Sequence, residues 1–175
     1  GGAKTFQGVA EPDLILITDI HGDHFNPETL QAIKTDKATL VVPQAVADKL
    51  SQDLKSKAVV LKNGETKTVK DVSIMAVPMY NLPESADSRH PKGRGNGYVL
   101  TFGNKKVYLS GDTQGIPEMR NLKNIDVAFI CMNLRYRMDV DEAAQAVVDF
   151  KPKIVYPYDY RGQNGLSDTE AFGKM

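Results

Sequence analysis

The chain has 175 residues, with 22 basic and 22 acidic side chains and no formal net charge. A hydrophobic content of 41% over that length supports one domain with a real core. The balanced charge gives no reason to expect nucleic acid or an anionic membrane as a partner. No apolar run is long enough to span a bilayer. The opening Gly1-Gly2-Ala3-Lys4-Thr5-Phe6-Gln7-Gly8 lacks the apolar centre of a signal peptide. Cys131 is the single cysteine, so an internal disulfide is excluded and nothing calls for an oxidising compartment. The cytoplasm is the favoured location, with a cleaved upstream signal left open. Cys131 follows the apolar run Val127-Ala128-Phe129-Ile130 and reads as a buried small hydrophobe rather than a nucleophile.

Leu14 to Thr18 is a short isoleucine-rich run bounded by Pro12 and a polar loop, which predicts a buried strand. Asn26-Pro27-Glu28 opens a helix, with Asn26 as N-cap, Pro27 at the first helical position and Glu28 at the positive end of the dipole. Leu30 and Ile33 would face the core. Thr39 to Val42 is a second strand, ended by Pro43. Gln44 to Leu54 reads as one helix with Val46, Ala47, Leu50 and Leu54 on one face. Ala58 to Leu61 is a strand, followed by a turn at Asn63-Gly64. Thr66 to Val69 and Val72 to Val77 form an antiparallel pair. Asn81 to Asn96 is a long polar loop, a length that points to function or mobility. Tyr98 to Phe102 and Lys106 to Leu109 flank Gly103-Asn104 as a hairpin, and Ile116 to Leu122 is a short helix. Val127 to Cys131 is a strand. Asp139 or Asp141 caps a helix reaching about Phe150, Ile154 to Tyr156 is the last clear strand, and Ser167 to Met175 begins a helix. Without repeats, low-complexity segments or a linker, this order predicts one layered α/β domain over residues 1–175 with mixed sheets.

Chemistry concentrates at three strand ends. His21 and His24 follow the first strand, interleaved with Asp19 and Asp23; imidazole and carboxylate are ligands for zinc, iron or manganese. A polar turn whose histidines cap backbone groups is the plainer reading, but four potential ligands in six residues favour a metal. Asp112 follows the strand at Leu109, with Gly111 allowing a sharp turn. Asp159 follows the strand at Tyr156. The third histidine, His90, lies in the long loop.

Taken together these segments resemble the metallo-β-lactamase-fold hydrolases. Asp19-Ile20-His21-Gly22-Asp23-His24 is similar to the family's His-X-His-X-Asp-His signature, and Ser110-Gly111-Asp112-Thr113 to its Gly-Asp-Thr loop. Ala76-Val77-Pro78-Met79-Tyr80 and Tyr156-Pro157-Tyr158-Asp159-Tyr160 resemble the segments that carry its other histidines. The branch that it most resembles is the one related to ascorbate-6-phosphate lactonase and to phospholipase-D-type members. The likeness runs from about Pro12 to Tyr160 and implies a four-layer αββα sandwich with mixed sheets. Relatives begin with two or three additional strands and end with a longer helix and strand. The expectation is therefore a truncated or minimal version, whose open sheet edges would favour a homo-oligomer.

The resemblance implies His21 as a ligand of a first ion, Asp23 and His24 as ligands of a second, and Asp112 as the bridge. In the family's mechanism a metal-bound hydroxide attacks the substrate, and Asp23 would also orient the nucleophilic water. Three positions depart from the pattern. Asp19 and Asp159 stand where the family has histidine, and Asn81 stands at the middle ligand histidine, although His90 could reach in from the loop. Carboxylates keep one or two divalent ions (zinc, manganese or iron) possible and shift the preference towards manganese or iron. Asn81, Lys92 and Arg135 are the expected substrate contacts. Arg94, Arg137 and Arg161 join Lys92 and Arg135 as cations that would suit a phosphate or carboxylate, or else serve as surface charges and counter-ions for Asp19 and Asp159. The leading expectation is a metal-dependent hydrolase of an anionic small-molecule ester, lactone or phosphodiester. The alternatives are a metal-free binding module and a di-iron oxidoreductase.

Overall fold

The structure, a computed structural model, describes residues 2–33, 35–162 and 165–175. A 3-10 turn at Ala3–Phe6 precedes β1 (Leu14–Leu16), α1 (Pro27–Ala32), β2 (Thr39–Val42), α2 (Gln44–Ala47), α3 (Gln52–Ser56) and β3 (Ala58–Val60). Strands β1, β2 and β3 form a three-stranded parallel sheet in that order. The six-stranded sheet follows chain order: β4 (Thr66–Val69), β5 (Val72–Met79), β6 (Gly95–Phe102), β7 (Lys105–Leu109), β8 (Val127–Cys131) and β9 (Ile154–Tyr158). Its first four strands are antiparallel and its last three parallel. Between β7 and β8 runs α4 (Pro117–Arg120), and between β8 and β9 runs α5 (Val140–Phe150). A short antiparallel pair, β10 (Arg161–Gly162) and β11 (Gly165–Leu166), precedes α6 (Thr169–Lys174).

Alternation along the strands sorts the side chains into layers. Leu40 and Val42 of β2 pack with Leu30, Val46, Ala47 and Leu54 beneath the first helices. Val41, between them, faces the other way and joins Ile74, Ala76, Tyr98 and Leu100 of the larger sheet. The opposite face of that sheet, with Val77, Val99, Tyr108 and Ile130, is covered by α4, α5 and α6 through Met119, Ala143 and Phe172. The result is helix, sheet, sheet, helix. Fully burying one such aliphatic side chain contributes about 1.5–3 kcal/mol, so the two apolar sheet faces hold the layers together.

The caps follow the sequence closely. The Asn26 side chain accepts from Thr29 N–H at 2.7 Å, and the Asp139 side chain from Glu142 N–H at 2.8 Å. The single helix expected over 44–54 is instead two. The chain leaves helical geometry after Asp48, and Ser51, with ψ of 157°, restarts it as an N-cap. The Ser51 side chain makes no capping bond, and the break lets Val46, Ala47 and Leu54 reach one core. Strand β9 runs to Tyr158, two residues beyond the expectation, because it pairs with β8 through Cys131↔Tyr158. The pair β10 and β11 was not anticipated.

Every loop that matters leaves one edge. The parallel strands β7, β8 and β9 all end there, β5 ends there and β6 begins there. The end of β1 is pinned to the same place: Asn96 N–H donates to Thr18 O at 2.9 Å, and the buried Tyr98 hydroxyl donates to Ile17 O at 2.8 Å. Gly95 permits this approach, since a Cβ there would lie 2.8 Å from Thr18 O. Replacing Tyr98 with Phe leaves the buried Ile17 carbonyl without that donor. We expect a loss of about 1–3 kcal/mol in denaturant unfolding, with the secondary structure intact by circular dichroism.

Candidate metal centre

Beyond β1 the chain turns tightly, with His24 and Phe25 N–H both donating to His21 O at 2.9 and 2.8 Å. This turn sends Asp19 inward, where it is fully buried, and leaves Asp23 half-exposed. Beyond β7, Gly111 adopts a positive φ of 63° and delivers the buried Asp112 to the same spot. For any other residue that conformation costs about 1–2 kcal/mol. The loop after β5 supplies His90, which is buried. Asn81 fixes it: its side-chain oxygen lies 2.9 Å from His90 N and 3.2 Å from His90 Nδ1, and Asn81 N–H donates to His90 O at 2.9 Å.

Two groups of three ligand-type side chains result: Asp19, His21 and His90, and Asp23, His24 and Asp112. Within each, one ligand atom per residue lies within 4.8 Å of the others. His21 Nδ1 sits 2.7 Å from Asp19 Oδ2, and His24 Nδ1 sits 2.7 Å from Thr18 Oγ1. His24 Nε2 and His90 Nε2 approach Asp112 Oδ2 at 3.1 and 3.2 Å, so the two groups meet at Asp112. Asp112 Oδ1 is buried without a hydrogen-bond partner, and His90 Nε2, although close to Asp112 Oδ2, makes no well-aligned hydrogen bond. Buried polar atoms are rarely left unpaired, and a carboxylate oxygen in this state suits a cation. The residues present therefore fit an ion beside Asp112.

The electrostatics are steep. Burial alone would raise the Asp112 pKa, but His24, His90 and Arg137 beside it hold the carboxyl well below the usual range. His24 is pulled up in spite of its burial by contact with Asp112. His21 is pushed down, mainly by burial. Burial raises Asp159 against the opposing pull of Arg137. Cys131, buried behind Asp112, is pushed up to about 12 by desolvation, which matches a packing role for the thiol.

The expected ligands divide. Asp19, His21, Asp23, His24, His90 and Asp112 converge, whereas Asp159 falls outside both groups and meets Arg137 Nη2 at 2.8 Å. Of the expected substrate contacts, Asn81 and Lys92 are already engaged by other residues. Asn81 has both ends engaged, its amide nitrogen donating to Tyr136 O at 2.5 Å, so it positions His90 rather than waiting for substrate. Lys92 is paired with Glu84 at 2.9 Å and Glu118 at 3.1 Å and lies over the Tyr80 ring. Arg135 is exposed beside the Tyr136 ring, and the arginine of that loop that reaches the carboxylates is Arg137. Two of the arginines singled out in the sequence are counter-ions of the carboxylates, one of the two roles open to them there. Arg94 forms a two-pronged pair with Asp19, both N···O distances being 3.1 Å. Arg137 Nη2 stands 2.6 Å from Asp112 and 3.2 Å from Asp23. Both arginines are charges in glycine-bearing or polar loops, and only folding tells them from Arg135.

Comparison with known proteins agrees with this architecture. The model of a beta-lactamase superfamily domain matches residues 3–160. A UPF0173 metal-dependent hydrolase of Pyrococcus abyssi is 31% identical over 180 residues, covering 97% of this chain and 79% of its own. The crystal structure of a candidate metal-dependent hydrolase from Parabacteroides distasonis is 43% identical with a TM-score of 0.80, over 89% of this chain and 69% of that one. A metallo hydrolase of Ignicoccus hospitalis, Igni18, shares the fold at 23% identity and a TM-score of 0.79, over 98% of this chain and 74% of its own.

Removing the oxygen that fixes His90 should loosen the centre without dismantling it. Asn81→Ala is expected to weaken divalent-ion affinity by about 10–100-fold, as is usual when the group behind a ligand is lost. Isothermal titration of the metal-stripped protein would read this.

Proposed function

This chain belongs to the beta-lactamase superfamily, and from that premise we propose that it is a metal-dependent hydrolase of an anionic small molecule carrying an ester, lactone or phosphodiester bond. One observation carries the metal reading: Asp112 Oδ1 is buried without a hydrogen-bond partner at the residue where the two ligand groups meet. Asp19, His21, His90 and Asp112 would hold the ion, and a set rich in carboxylate favours manganese or iron over zinc. When bound, a divalent ion supplies a Lewis acid that polarises the scissile group and lowers the pKa of water.

The protein's own side chains do the rest. Asp23, 59% exposed at the mouth of the cluster, is the carboxylate that can meet solvent and orient an attacking water or take its proton. Asn81 holds the His90 ring, and Thr18 holds the His24 ring. Arg94 neutralises Asp19 at the back of the site. The anionic substrate rests on the rim: Arg89, which precedes His90, and Arg135, two residues before Arg137, flank the Tyr136 ring at 5.4 and 6.0 Å. Guanidinium groups there suit a phosphate or carboxylate.

A second reading, a binding module without metal, draws on the same arginines. Arg94 and Arg137 already partner all four carboxylates. Elemental analysis of protein purified without chelator, alongside Asp112→Ala, separates the two. The hydrolase reading expects bound transition metal in the parent chain and its loss in the variant. Cleavage of lactone and phosphodiester panels should fall by more than the about 10–100-fold typical of losing a group behind a ligand. A parent chain that takes up no ion even on reconstitution, or a fully active Asp112→Ala, would favour the binding module or an ion held elsewhere.

A further inference from the structure

The two ligand groups are not equivalent. In the first, Asp19, His21 and His90, the neighbouring cation is Arg94, whose two-pronged pair engages the one carboxylate Asp19. In the second, Asp23, His24 and Asp112, it is Arg137, whose contacts are spread over several. Arg137 Nη2 lies 2.6 Å from Asp112 Oδ2, 2.8 Å from Asp159 Oδ2 and 3.2 Å from Asp23 Oδ2, so one nitrogen stands among three carboxylates from three different loops. A divalent ion bound by Asp23 and Asp112 at about 2.0–2.2 Å would need the volume that this nitrogen fills. It would also face a positive charge at contact distance.

Arg137 is not a loose surface arm. Its side chain is 11% exposed. Its backbone is fixed on both sides, by Asn81 donating to Tyr136 O and by the fully buried Met138, which is followed by the Asp139 cap of α5. The charges point the same way. With neutral histidines, four carboxylates (Asp19, Asp23, Asp112 and Asp159) against Arg94 and Arg137 leave a formal charge of −2. One divalent ion cancels that charge, whereas a second would leave the site at +2 in a desolvated setting where uncompensated charge is costly.

We propose that Arg137 is a tethered cation standing in for a second metal ion, so that the chain binds one divalent ion, at the first group, instead of a pair. This inference rests on the hydrolase reading for the existence of that ion. It also gives the site an arginine, beside the half-exposed Asp23, where a two-ion site would present a second metal to the substrate.

The test is stoichiometry rather than turnover. Metal-stripped protein is titrated with Mn²⁺ and separately with Zn²⁺, and bound metal is counted after gel filtration for the parent chain, His21→Ala, Asp23→Ala and Arg137→Met. One ion per parent chain is expected, with affinity reduced at least tenfold in His21→Ala and little changed in Asp23→Ala, because each residue belongs to one group only. Arg137→Met, checked for folding by circular dichroism, should take up a second ion. Two ions on the parent chain, an Asp23→Ala loss matching or exceeding that of His21→Ala, or a folded Arg137→Met that still saturates at one ion would each overturn the proposal. Should Arg137→Met fail to fold, the parent stoichiometry and the His21→Ala and Asp23→Ala pair decide it alone. Two ions on the parent chain leave the hydrolase reading standing, whereas no ion at all removes both.

Discussion

A single buried carboxylate, Asp112, organises this protein. Histidines from two loops and a guanidinium from a third meet at its Oδ2. Each partner would be difficult to bury alone, because stranding one charge inside a protein costs about 3–5 kcal/mol. Together they form a network in which every member depends on the others, and Asp112 is the shared contact. Gly111, at a positive φ that glycine adopts without strain, lets the chain turn so that this carboxylate points inward.

The layers make this meeting possible. Parallel pairing of β7, β8 and β9 brings three strand ends to one edge, and the antiparallel turn-back between β5 and β6 adds a fourth loop there. The smaller sheet contributes through the end of β1, which Asn96 and Tyr98 bind to the larger sheet. Rigid strands thus position side chains that themselves sit on loops, a division of labour common to α/β proteins. The apolar interface of Val41, Ile74, Ala76 and Leu100 lies directly behind this edge and keeps the two sheets in register.

Much of this was legible in the amino-acid order. Short apolar and β-branched runs marked most of the strands, Asn26 and the Asp139–Asp141 stretch marked helix starts, and Asp19 to His24 together with Asp112 marked the centre. What escaped depended on distance in the chain. That Asn81 would hold His90 while His90 occupies the centre is a relation across a loop, and no local pattern encodes it. Arg135 and Arg137 look alike in sequence, but one stays exposed beside Tyr136 and the other turns inward, a choice set by the buried Met138 and the cap at Asp139. The break near Ser51 is likewise a tertiary choice, since the apolar spacing alone fits an unbroken helix.

The loop from Asn81 to Arg94 carries His90, the residue that holds it and the counter-ion of Asp19 within fourteen consecutive positions. Ligand, orienting group and charge balance are therefore inherited as one cassette. Exchange of this segment between relatives would alter what the centre can bind and how strongly it is charged in a single event, with the sheets left untouched.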